Sequence, residues 1–198
     1  MKFHTISDLD ENKLGSGPIR FYVNAVLDNI AKNLDTKDSD VILDFGCNHQ
    51  FLKQKINPRA KYVGYDIYQE YSDIADINQI TPTVVVASHV LEHLTIEELD
   101  SFLDYCVKKK IRLLAVALPL ENILSKILRW ATRIKFSNEI LHKLDYLTVM
   151  KNINERFENV GVSTVFFMSV NSVWAPRMEK KTLKKTEVEK AEQRVKSP

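Results

Sequence analysis

The sequence predicts an α/β fold, a three-layer αβα sandwich in which helices cover both faces of a mostly parallel sheet. Short apolar runs of strand length alternate with segments of helical periodicity. The three most regular runs end in small or polar residues, as buried parallel strands do before they turn into a helix. The 198 residues are about one domain's worth and are enough to bury a core.

The first half of the chain begins with a helix and continues with two strands. Apolar residues recur at helical spacing over residues 19–34. Residues 41–46 are a short apolar run that ends in glycine, typical of a buried parallel strand. Residues 51–56 have the pattern of a short helix that stops before a proline. Residues 61–67 are predicted to form the second strand, with an acidic residue near its end.

The middle of the chain supplies two further strands and a helix between them. Residues 84–87 are a third buried strand. Thr95 and Glu98 have the spacing of a capping box, which predicts a helix that continues to about Lys109. Residues 112–118 are the next strand, and Pro119 ends it.

The last third is predicted as a long helical segment, a helix and two strands. Residues 120–144 are basic, apolar and helical in pattern, and residues 148–159 form a helix closed by Gly161. Residues 162–170 are a strand, with a turn at residues 171–172 and a short last strand at 173–175. Residues 1–176 therefore form a single domain with a helical insertion at about 120–147, and 177–198 form a charged tail that is helical or disordered.

Composition and charge exclude several classes of protein. The net charge of +2 argues against a dedicated nucleic-acid-binding protein, which needs a strong basic excess. Residues 177–198 carry +4, so residues 1–176 carry −2. Two cysteines are too few for a disulfide framework, and no apolar run has the length of a signal peptide or a membrane span. We expect a cytoplasmic protein.

Candidate ligand-binding residues follow three of the predicted strands. They lie at residues 44–50, at Asp66 and at residues 88–93. Parallel sheets bind ligands beyond the carboxyl ends of their strands, so we expect these segments to share one site. Asp66 suits the vicinal hydroxyls of a ribose, or else caps the next helix. Asp76, beside the apolar Ile77, suits an adenine ring, or else is an ordinary loop acid.

Two familiar motifs do not fit these segments. A dinucleotide-binding loop needs three glycines in the pattern G-x-G-x-x-G, and residues 46–51 keep only the first, which argues against a dehydrogenase. His89, Glu92 and His93 have the spacing of the inverted zinc-protease motif. That motif needs a helix and a further acidic ligand, whereas this segment directly follows a strand. We therefore predict no metal site, with metal assistance by Glu92 and His93 as the weaker alternative.

Taken together, three segments resemble class I S-adenosylmethionine-dependent methyltransferases of the type 11/12 group. They are VILDFGC at residues 41–47, VGYD at 63–66 and VVVASHVLEHL at 84–94. The segment from His142 to Thr148, with the helix and Gly161 that follow, resembles the end of the same family. The resemblance spans about residues 19–175 and implies a Rossmann-like, seven-stranded sheet with the cofactor over the strand ends.

The resemblance also implies the roles of individual residues toward S-adenosylmethionine. Asp44 and Gly46 would face the methionine part, Asp66 the ribose, and Asp76 with Ile77 the adenine. The remaining residues that we predict to bind the cofactor are Asn48, Gln50, Ile67 and Ser88. Histidine suits a general base at neutral pH, and His93 and then His89 are our candidates, with His142 as a third. The alternative for each is a packed or surface histidine.

The glycine loop after the first strand departs from the family pattern D-x-G-x-G-x-G. Asn48 and Gln50 stand at the second and third glycines. Asparagine tolerates a positive φ, but Gln50 places a side chain where the cofactor approaches the backbone. This departure keeps a second hypothesis open, a methyltransferase-fold protein that binds a partner without catalysis.

The helical segment 120–144 bears on which methyl acceptor we expect. Apolar residues form one stripe, with Lys126, Arg129 and Arg133 mainly outside it. The simpler interpretation is a lid over the edge of the sheet. The alternative is peripheral contact of residues 120–136 with anionic lipid. The predicted acceptor is a small molecule, a glycan or a lipid-linked intermediate, with no nucleic acid involved.

Overall fold

The computed structural model describes residues 17–120 and 143–177, and their side chains from residue 20. Within these residues helices and strands alternate as the sequence predicts. The elements are α1 Gly17–Asn33, β1 Val41–Phe45, β2 Lys61–Tyr65, β3 Val84–Ser88, α2 Ile96–Lys108, β4 Leu113–Pro119, α3 Tyr146–Arg156, β5 Phe157–Val165 and β6 Ser169–Pro176. Short 3-10 helices lie at Phe51–Gln54, Gln69–Tyr71, Ile77–Gln79 and Leu91–His93.

The described strands form one mixed sheet of six, in the order β2-β1-β3-β4-β6-β5. β1 is parallel to β2 and β3, and β3 is parallel to β4. β6 is antiparallel to β4, and β5 is antiparallel to β6. Between β2 and β3 the described chain forms 3-10 turns and no strand, so this sheet ends at β2. The described residues confirm an α/β fold with a sheet of six strands, and they do not confirm the predicted seventh strand.

The carboxyl ends of β1, β2, β3 and β4 meet at one edge of the sheet because these strands are parallel. Ser169, the first residue of β6, pairs with Pro119 at the end of β4. The turn between β5 and β6 therefore lies at the same edge. This edge carries every segment that the sequence predicts to bind a ligand after β1, β2 and β3.

The sheet buries both of its faces, since successive residues of a strand point to opposite sides. Leu43, Val85 and Val116 join the buried core that α2 and α3 cover. Ile42 and Val84 join the second core, which contains the apolar side of α1. The near-continuous apolar sequence of β1, β3 and β4 follows from this double burial.

Helix α2 confirms the predicted capping box. Thr95 Oγ1 accepts a hydrogen bond of 3.2 Å from the Glu98 amide, and Glu98 Oε2 accepts one of 2.8 Å from the Thr95 amide. Two amides that have no partner within the helix are thereby satisfied. The helix ends at Lys108, one residue before the predicted end.

The predicted end of the last helix is wrong. Helix α3 ends at Arg156, and the chain enters β5 directly at Phe157, which is fully buried. Gly161, expected to close the helix, lies in β5 next to a shift in the pairing with β6. Burial of Phe157 ends the helix earlier than Gly161 suggests. A glycine is only a weak helix-stop signal, because it also occurs at β-bulges.

The predicted turn at Asn171 and Ser172 is also wrong. Both residues are buried in β6 and pair with Ala117 and Val116 of β4. The turn lies at residues 166–168, where Phe166 and Phe167 have φ values of 51° and 56°. Two phenylalanines carry no turn signal, so the sequence could not locate it. The last strand pair, expected to be short, extends from Phe157↔Pro176 to Val165↔Ser169.

Candidate functional site

The turn after β1 contains three residues in the left-handed region of backbone conformation. Gly46, Asn48 and Gln50 have φ values of 76°, 44° and 56°. A Cβ atom on Gly46 would lie 2.7 Å from Val90 Cγ2, so this position requires glycine for space as well as for conformation. The family's glycine spacing is thus matched by backbone conformation, although two of the three residues are not glycine.

The side chain of Gln50 binds the loop after β2. Its Nε2 atom donates hydrogen bonds of 2.8 Å to the Tyr71 carbonyl and 3.2 Å to Asp73 Oδ1. It also packs on Gly64, where an added Cβ would lie 3.0 Å from Nε2. The Asp73 carboxylate in turn accepts a hydrogen bond of 2.8 Å from the Gly64 amide. Gln50 therefore joins the turn after β1 to β2 and its loop.

Asp44 is a buried carboxyl group at the end of β1. Its Oδ2 atom accepts a hydrogen bond of 2.6 Å from the Tyr62 hydroxyl. Burial raises the pKa of Asp44 to about 7, the Tyr62 hydrogen bond opposes that rise, and the nearby Asp66 carboxylate adds to it. The group therefore exchanges its proton near neutral pH. No sequence signal marks Tyr62 as part of this site.

Asp66 connects the turns after β1 and β2. It is buried, and its Oδ2 atom accepts a hydrogen bond of 3.0 Å from the Asn48 amide. Its Oδ1 atom accepts one of 3.1 Å from the Tyr68 amide. A carboxylate oxygen can accept more than one hydrogen bond. The adjacent Ile67 is half-buried and packs against the core.

Asn48 presents an acceptor atom with no described partner. Its side-chain Oδ1 is buried and accepts no hydrogen bond from the residues that the structure describes. A buried carbonyl oxygen in that state costs free energy unless a donor reaches it. The structure thus groups Asp44, Asn48 and Asp66 at the carboxyl ends of β1 and β2, and all three offer acceptor atoms.

Asp76 and Ile77 lie in a separate turn. Asp76 Oδ1 caps the 3-10 turn by accepting a hydrogen bond of 2.9 Å from the Asn78 amide. The Ile77 side chain is 1% exposed within the core, and its carbonyl accepts a hydrogen bond of 2.9 Å from the Tyr105 hydroxyl. These contacts hold the turn against α2 rather than against the Asp44 cluster.

A second cluster lies at the end of β3, around His89. The backbone of His89 has a φ of 52°, and its amide donates a hydrogen bond of 2.9 Å to the Ala117 carbonyl. Its ring lies between two partners, with Nε2 at 3.3 Å from Ser169 Oγ and Nδ1 at 3.7 Å from Glu92 Oε1. The ring of Tyr22 on α1 meets it edge to face. A non-glycine residue held in this conformation is typical of functional sites.

Glu92 is the buried acid of this cluster. Its side chain is 4% exposed, and burial raises the pKa of its carboxyl to about 8. Its Oε1 atom lies 4.0 Å from His93 Nε2, and its Oε2 atom has no hydrogen-bond partner among the described residues. The Glu92 carbonyl accepts hydrogen bonds from the amides of Lys143 and Leu144, where the described chain resumes.

The sequence predicts His89 and His93 in this cluster but gives no signal for Tyr22 and Ser169. Tyr22 reads as one apolar position of α1, and Ser169 falls inside a predicted strand. Only the pairing of β6 with β4 brings Ser169 to the end of β3. Ser88, the last residue of β3, lies half-buried next to this cluster and pairs with Ala117.

Several predictions fall outside the described residues. They are the third histidine candidate, His142, residues 121–142 of the predicted lid and of the lipid-contacting segment, and residues 178–198 of the tail. The end of the predicted insertion is described, and its residues Tyr146 and Leu147 begin α3. Within residues 17–120 and 143–177, no three His, Cys, Asp or Glu side chains are grouped to hold a metal, and no helix is long and apolar enough to cross a membrane.

The fold is that of class I S-adenosylmethionine-dependent methyltransferases. Magnesium protoporphyrin IX methyltransferase (ChlM) from Synechocystis PCC 6803, with bound S-adenosylhomocysteine, superposes with a TM-score of 0.58 at 15% identity, over 87% of this chain and 90% of that one. A methyltransferase from Aquifex aeolicus superposes with a TM-score of 0.55 at 13% identity, over 86% and 100%.

A third similar structure is the PH0226 protein from Pyrococcus horikoshii OT3. It superposes with a TM-score of 0.62 at 13% identity, over 83% of this chain and 94% of that one. No protein-family model matches the sequence, and no curated protein matches it. The likeness is therefore one of fold across nearly whole chains, and function has to be argued from the residues of the site.

Proposed function

We propose that this protein binds S-adenosylmethionine at the carboxyl ends of β1 and β2 and transfers its methyl group to an acceptor near His89. The observation that carries the proposal is the grouping of Asp44, Asn48 and Asp66 under a turn with three left-handed residues. A cofactor with an ammonium group, ribose hydroxyls and a sulfonium charge presents donors and positive charge. An acceptor-rich, acidic site is its complement.

Each member of the cluster has a distinct part in binding. The unpartnered Asn48 Oδ1 and the Asp44 carboxyl suit the ammonium group of the methionine part. Asp66, whose two oxygens each accept a hydrogen bond from one backbone amide, suits the ribose hydroxyls because a carboxylate oxygen can accept more than one hydrogen bond. Gly46 would lie beside the methionine part, and its missing side chain makes room for Val90 against the turn. Gln50 supports the turn from the side of β2, since its amide nitrogen is bound there.

The adenine end of the cofactor would lie at the 3-10 turn Ile77–Gln79, which Asp76 caps. Asp76 would accept from the exocyclic amine, although the Asn78 amide already shares its Oδ1 atom. Ile77 supports the turn from beneath, because its side chain belongs to the core. Ile67 and Ser88, at the ends of β2 and β3, are the remaining residues that we place beside the cofactor.

The cluster at the end of β3 suits the acceptor side. S-adenosylmethionine supplies a methyl group whose carbon bonds to the acceptor atom as its bond to sulfur breaks. The protein has to align the two, and it has to take a proton when the acceptor is a hydroxyl or an amine. His93 and His89 both neighbour the Glu92 carboxyl, whose pKa of about 8 keeps it protonated near neutral pH. A ring that takes a proton therefore gains a charged partner only when Glu92 ionises. The acceptor class that we propose is a small molecule, a glycan or a lipid-linked intermediate.

A binding protein without catalysis is the second candidate function. It is favoured by the hydrogen bonds of Asp66, because both of its carboxylate oxygens already accept a hydrogen bond from a backbone amide. In that case Asp66 would stabilise the two turns, and the fold would serve as a surface for a partner. The two candidates predict opposite results when the cofactor is added to the protein.

Isothermal titration calorimetry with S-adenosylmethionine and S-adenosylhomocysteine tests the proposal. We expect saturable binding of both to the wild-type chain and a loss of affinity of about tenfold or more for Asp66→Asn, because two ribose hydroxyls lose a charged acceptor. Asp104→Asn is the control, since that side chain is 69% exposed on α2.

Circular dichroism of the Asp66→Asn variant shows whether its turns and fold persist. Absence of heat and of thermal stabilisation with either ligand at millimolar concentration would reject cofactor binding and leave the non-catalytic candidate. Equal affinity of a folded Asp66→Asn variant and wild type would reject the ribose assignment alone.

A further inference from the structure

Ser169 lies where β6, the end of β4 and the His89 cluster meet. It is the first residue of β6, and it is fully buried. Its hydroxyl has two acceptors within reach, Asn171 Oδ1 at 3.1 Å and the Leu118 carbonyl at 3.2 Å. Its Oγ atom also lies 3.3 Å from His89 Nε2. The direction of these hydrogen bonds decides which nitrogen of the His89 ring carries a proton.

The orientation of the Asn171 amide is fixed by a backbone carbonyl. Asn171 is buried in β6, and its Nδ2 atom donates a hydrogen bond of 3.0 Å to the Val26 carbonyl on α1. A carbonyl can only accept, so this end of the side chain has to be the NH2 group. A second hydrogen bond of 2.9 Å, from Nδ2 to Asn29 Oδ1, has the same direction. The other end of the amide, Oδ1, therefore faces Ser169 as an acceptor.

The single hydroxyl proton of Ser169 is needed by Asn171. Within the described residues, Asn171 Oδ1 accepts a hydrogen bond from Ser169 alone. If Ser169 donated its proton to His89 instead, this buried oxygen would lose its donor, which is costly. The Leu118 carbonyl, the other neighbour, can also only accept. Ser169 therefore donates away from His89 and turns a lone pair toward Nε2.

The Tyr22 hydroxyl fits the same count of donors and acceptors. It forms a hydrogen bond with the Ser169 side chain, and burial raises the pKa of Tyr22 to about 12 against the effect of that bond. Tyr22 therefore keeps its proton and can donate it. A serine oxygen has one proton and two lone pairs. Ser169 can thus accept from both Tyr22 and His89 while it donates to Asn171.

We propose that Ser169 and Asn171 are positioning residues that hold neutral His89 in the tautomer protonated on Nε2, so that Nδ1 is its proton-accepting nitrogen. The hydrogen bonds form one directed series, from His89 to Ser169, from Ser169 to Asn171 and from Asn171 to the Val26 carbonyl. Nδ1 is on the other side of the ring, 3.7 Å from Glu92 Oε1.

The catalytic part of Nδ1 rests on the proposed function, whereas the tautomer does not. When the methyl acceptor is a hydroxyl or an amine, His89 would take its proton onto the Nδ1 lone pair and become an imidazolium. The Nε2–H group would continue to donate to Ser169, so the ring would keep its orientation while it gains the proton. Such a preset orientation is what positioning contributes to a reaction.

Long-range ¹H–¹⁵N correlation spectra of the ¹⁵N-labelled full chain test this inference. Protonated and unprotonated ring nitrogens of histidine have different chemical shifts, so the spectra identify the tautomer. They are recorded near neutral pH and below 8, where Glu92 still holds its proton. His89→Asn assigns the His89 signals, since asparagine accepts the φ of 52° at this position. We expect neutral His89 in wild type to carry its proton on Nε2.

Serine variants separate positioning from a structural role. Ser169→Ala removes the acceptor, so we expect a mixture of His89 tautomers and exchange of the Nε2 proton with water that is about tenfold or more faster. Ser169→Thr keeps an Oγ atom and is expected to restore the wild-type signals. Ser172→Ala is the matched control, because Ser172 is buried in the same strand and its Oγ atom accepts a hydrogen bond of 2.8 Å from Trp174 Nε1. It should leave the His89 signals unchanged.

Two results would overturn the inference. The first is wild-type His89 with its proton on Nδ1, a measurement on the unmodified chain. The second is a Ser169→Ala variant, folded by circular dichroism, whose His89 signals equal those of wild type or change no more than in Ser172→Ala. If S-adenosylmethionine fails to bind while His89 carries its proton on Nε2, the proposed function is rejected and the tautomer assignment stands.

Discussion

At the scale of single residues, buried acids distinguish the candidate site from the rest of the molecule. Glu92 and Asp44 are both buried, and burial raises the pKa of each, to about 8 and about 7. Neither lies beside a Lys or Arg that forms an ion pair with it among the described residues. A fold that needed only stability would gain from apolar residues at such positions. Their presence agrees with a chemical role at the strand ends.

The raised pKa of Glu92 predicts how stability changes with pH. The unfolded carboxyl loses its proton near pH 4.5, whereas the folded one keeps it up to about pH 8. Between those values the folded state binds more protons, so the contribution of Glu92 is full below pH 4.5 and is lost as the pH rises to 8. We expect Glu92→Gln to gain stability relative to wild type across this window, at up to about 1.4 kcal/mol per pH unit.

Urea unfolding at several pH values measures this difference. Glu97→Gln, on the exposed first turn of α2, is the control and should run parallel to wild type. A Glu92→Gln curve that also runs parallel to wild type between pH 4.5 and 8 would contradict the buried, protonated carboxyl.

At the scale of elements, the turn after β1 has positive φ values at three positions although only one of them is a glycine. The pattern D-x-G-x-G-x-G has glycines at the positions of Gly46, Asn48 and Gln50, and all three of these residues have a positive φ in this chain. The cost is offset by hydrogen bonds, from the Asn48 amide to Asp66 and from the Gln50 side chain to the loop after β2. The sequence showed the departure from the motif, but not that these hydrogen bonds preserve the turn.

Gly46 is the position of this turn that we expect not to tolerate substitution. Gly46→Ala combines a positive φ with a Cβ atom 2.7 Å from Val90 Cγ2, and we expect it to destabilise the fold by roughly 2–4 kcal/mol. Gly161→Ala is the matched control, because its Cβ would meet nothing nearer than 4.0 Å and its φ is not positive.

Urea unfolding of the two alanine variants measures the difference between the glycines. We expect Gly161→Ala to change the free energy of unfolding by less than about 1 kcal/mol. Equal losses for both variants would show that the turn after β1 adapts to a side chain.

At the scale of the whole molecule, the amino ends and the carboxyl ends of the parallel strands carry different groups of polar residues. The amino ends are joined by Asp40, which is buried and accepts hydrogen bonds from the Lys37 amide, Thr83 and Arg112. This network ties the starts of β1, β3 and β4 together, away from the candidate site. The carboxyl ends carry the acids and histidines of the proposed site instead, so we expect changes at Asp40 to alter stability without altering binding.

Asp40→Ala is expected to destabilise the fold without changing the site. Arg112 would lose the carboxylate at 2.6 Å and keep only the Asp35 carbonyl, so we expect a loss of roughly 2–4 kcal/mol for a partly buried charge without an ionic partner. Asp38→Ala breaks an exposed pair with Arg59 and should lower the thermal midpoint much less than Asp40→Ala, because exposed ion pairs contribute little.

Thermal unfolding and calorimetry together check this separation. At a temperature where Asp40→Ala is folded, its affinity for S-adenosylhomocysteine should equal that of wild type. A variant that unfolds no earlier than Asp38→Ala would show that the Asp40 network contributes little.

The sequence by itself determined the order of elements and most of the strand ends. Periodicity and apolar runs placed α1, β1 to β4 and α2 within about two residues, because a doubly covered sheet demands continuous apolar strands. The sequence also predicted the capping box and the acids at the ends of β1 and β2. These features could be predicted because each depends on residues that are close together in the sequence.

Only the tertiary structure decided the last hairpin and the composition of the site. The turn at Phe166 and Phe167 contradicts local propensity and is imposed by pairing of β5, β6 and β4. Tyr22 and Ser169 lie 147 positions apart in the chain, and packing of α1 and β6 brings both to His89. Contacts between distant residues depend on strand register and helix packing, and no local pattern in the sequence encodes them.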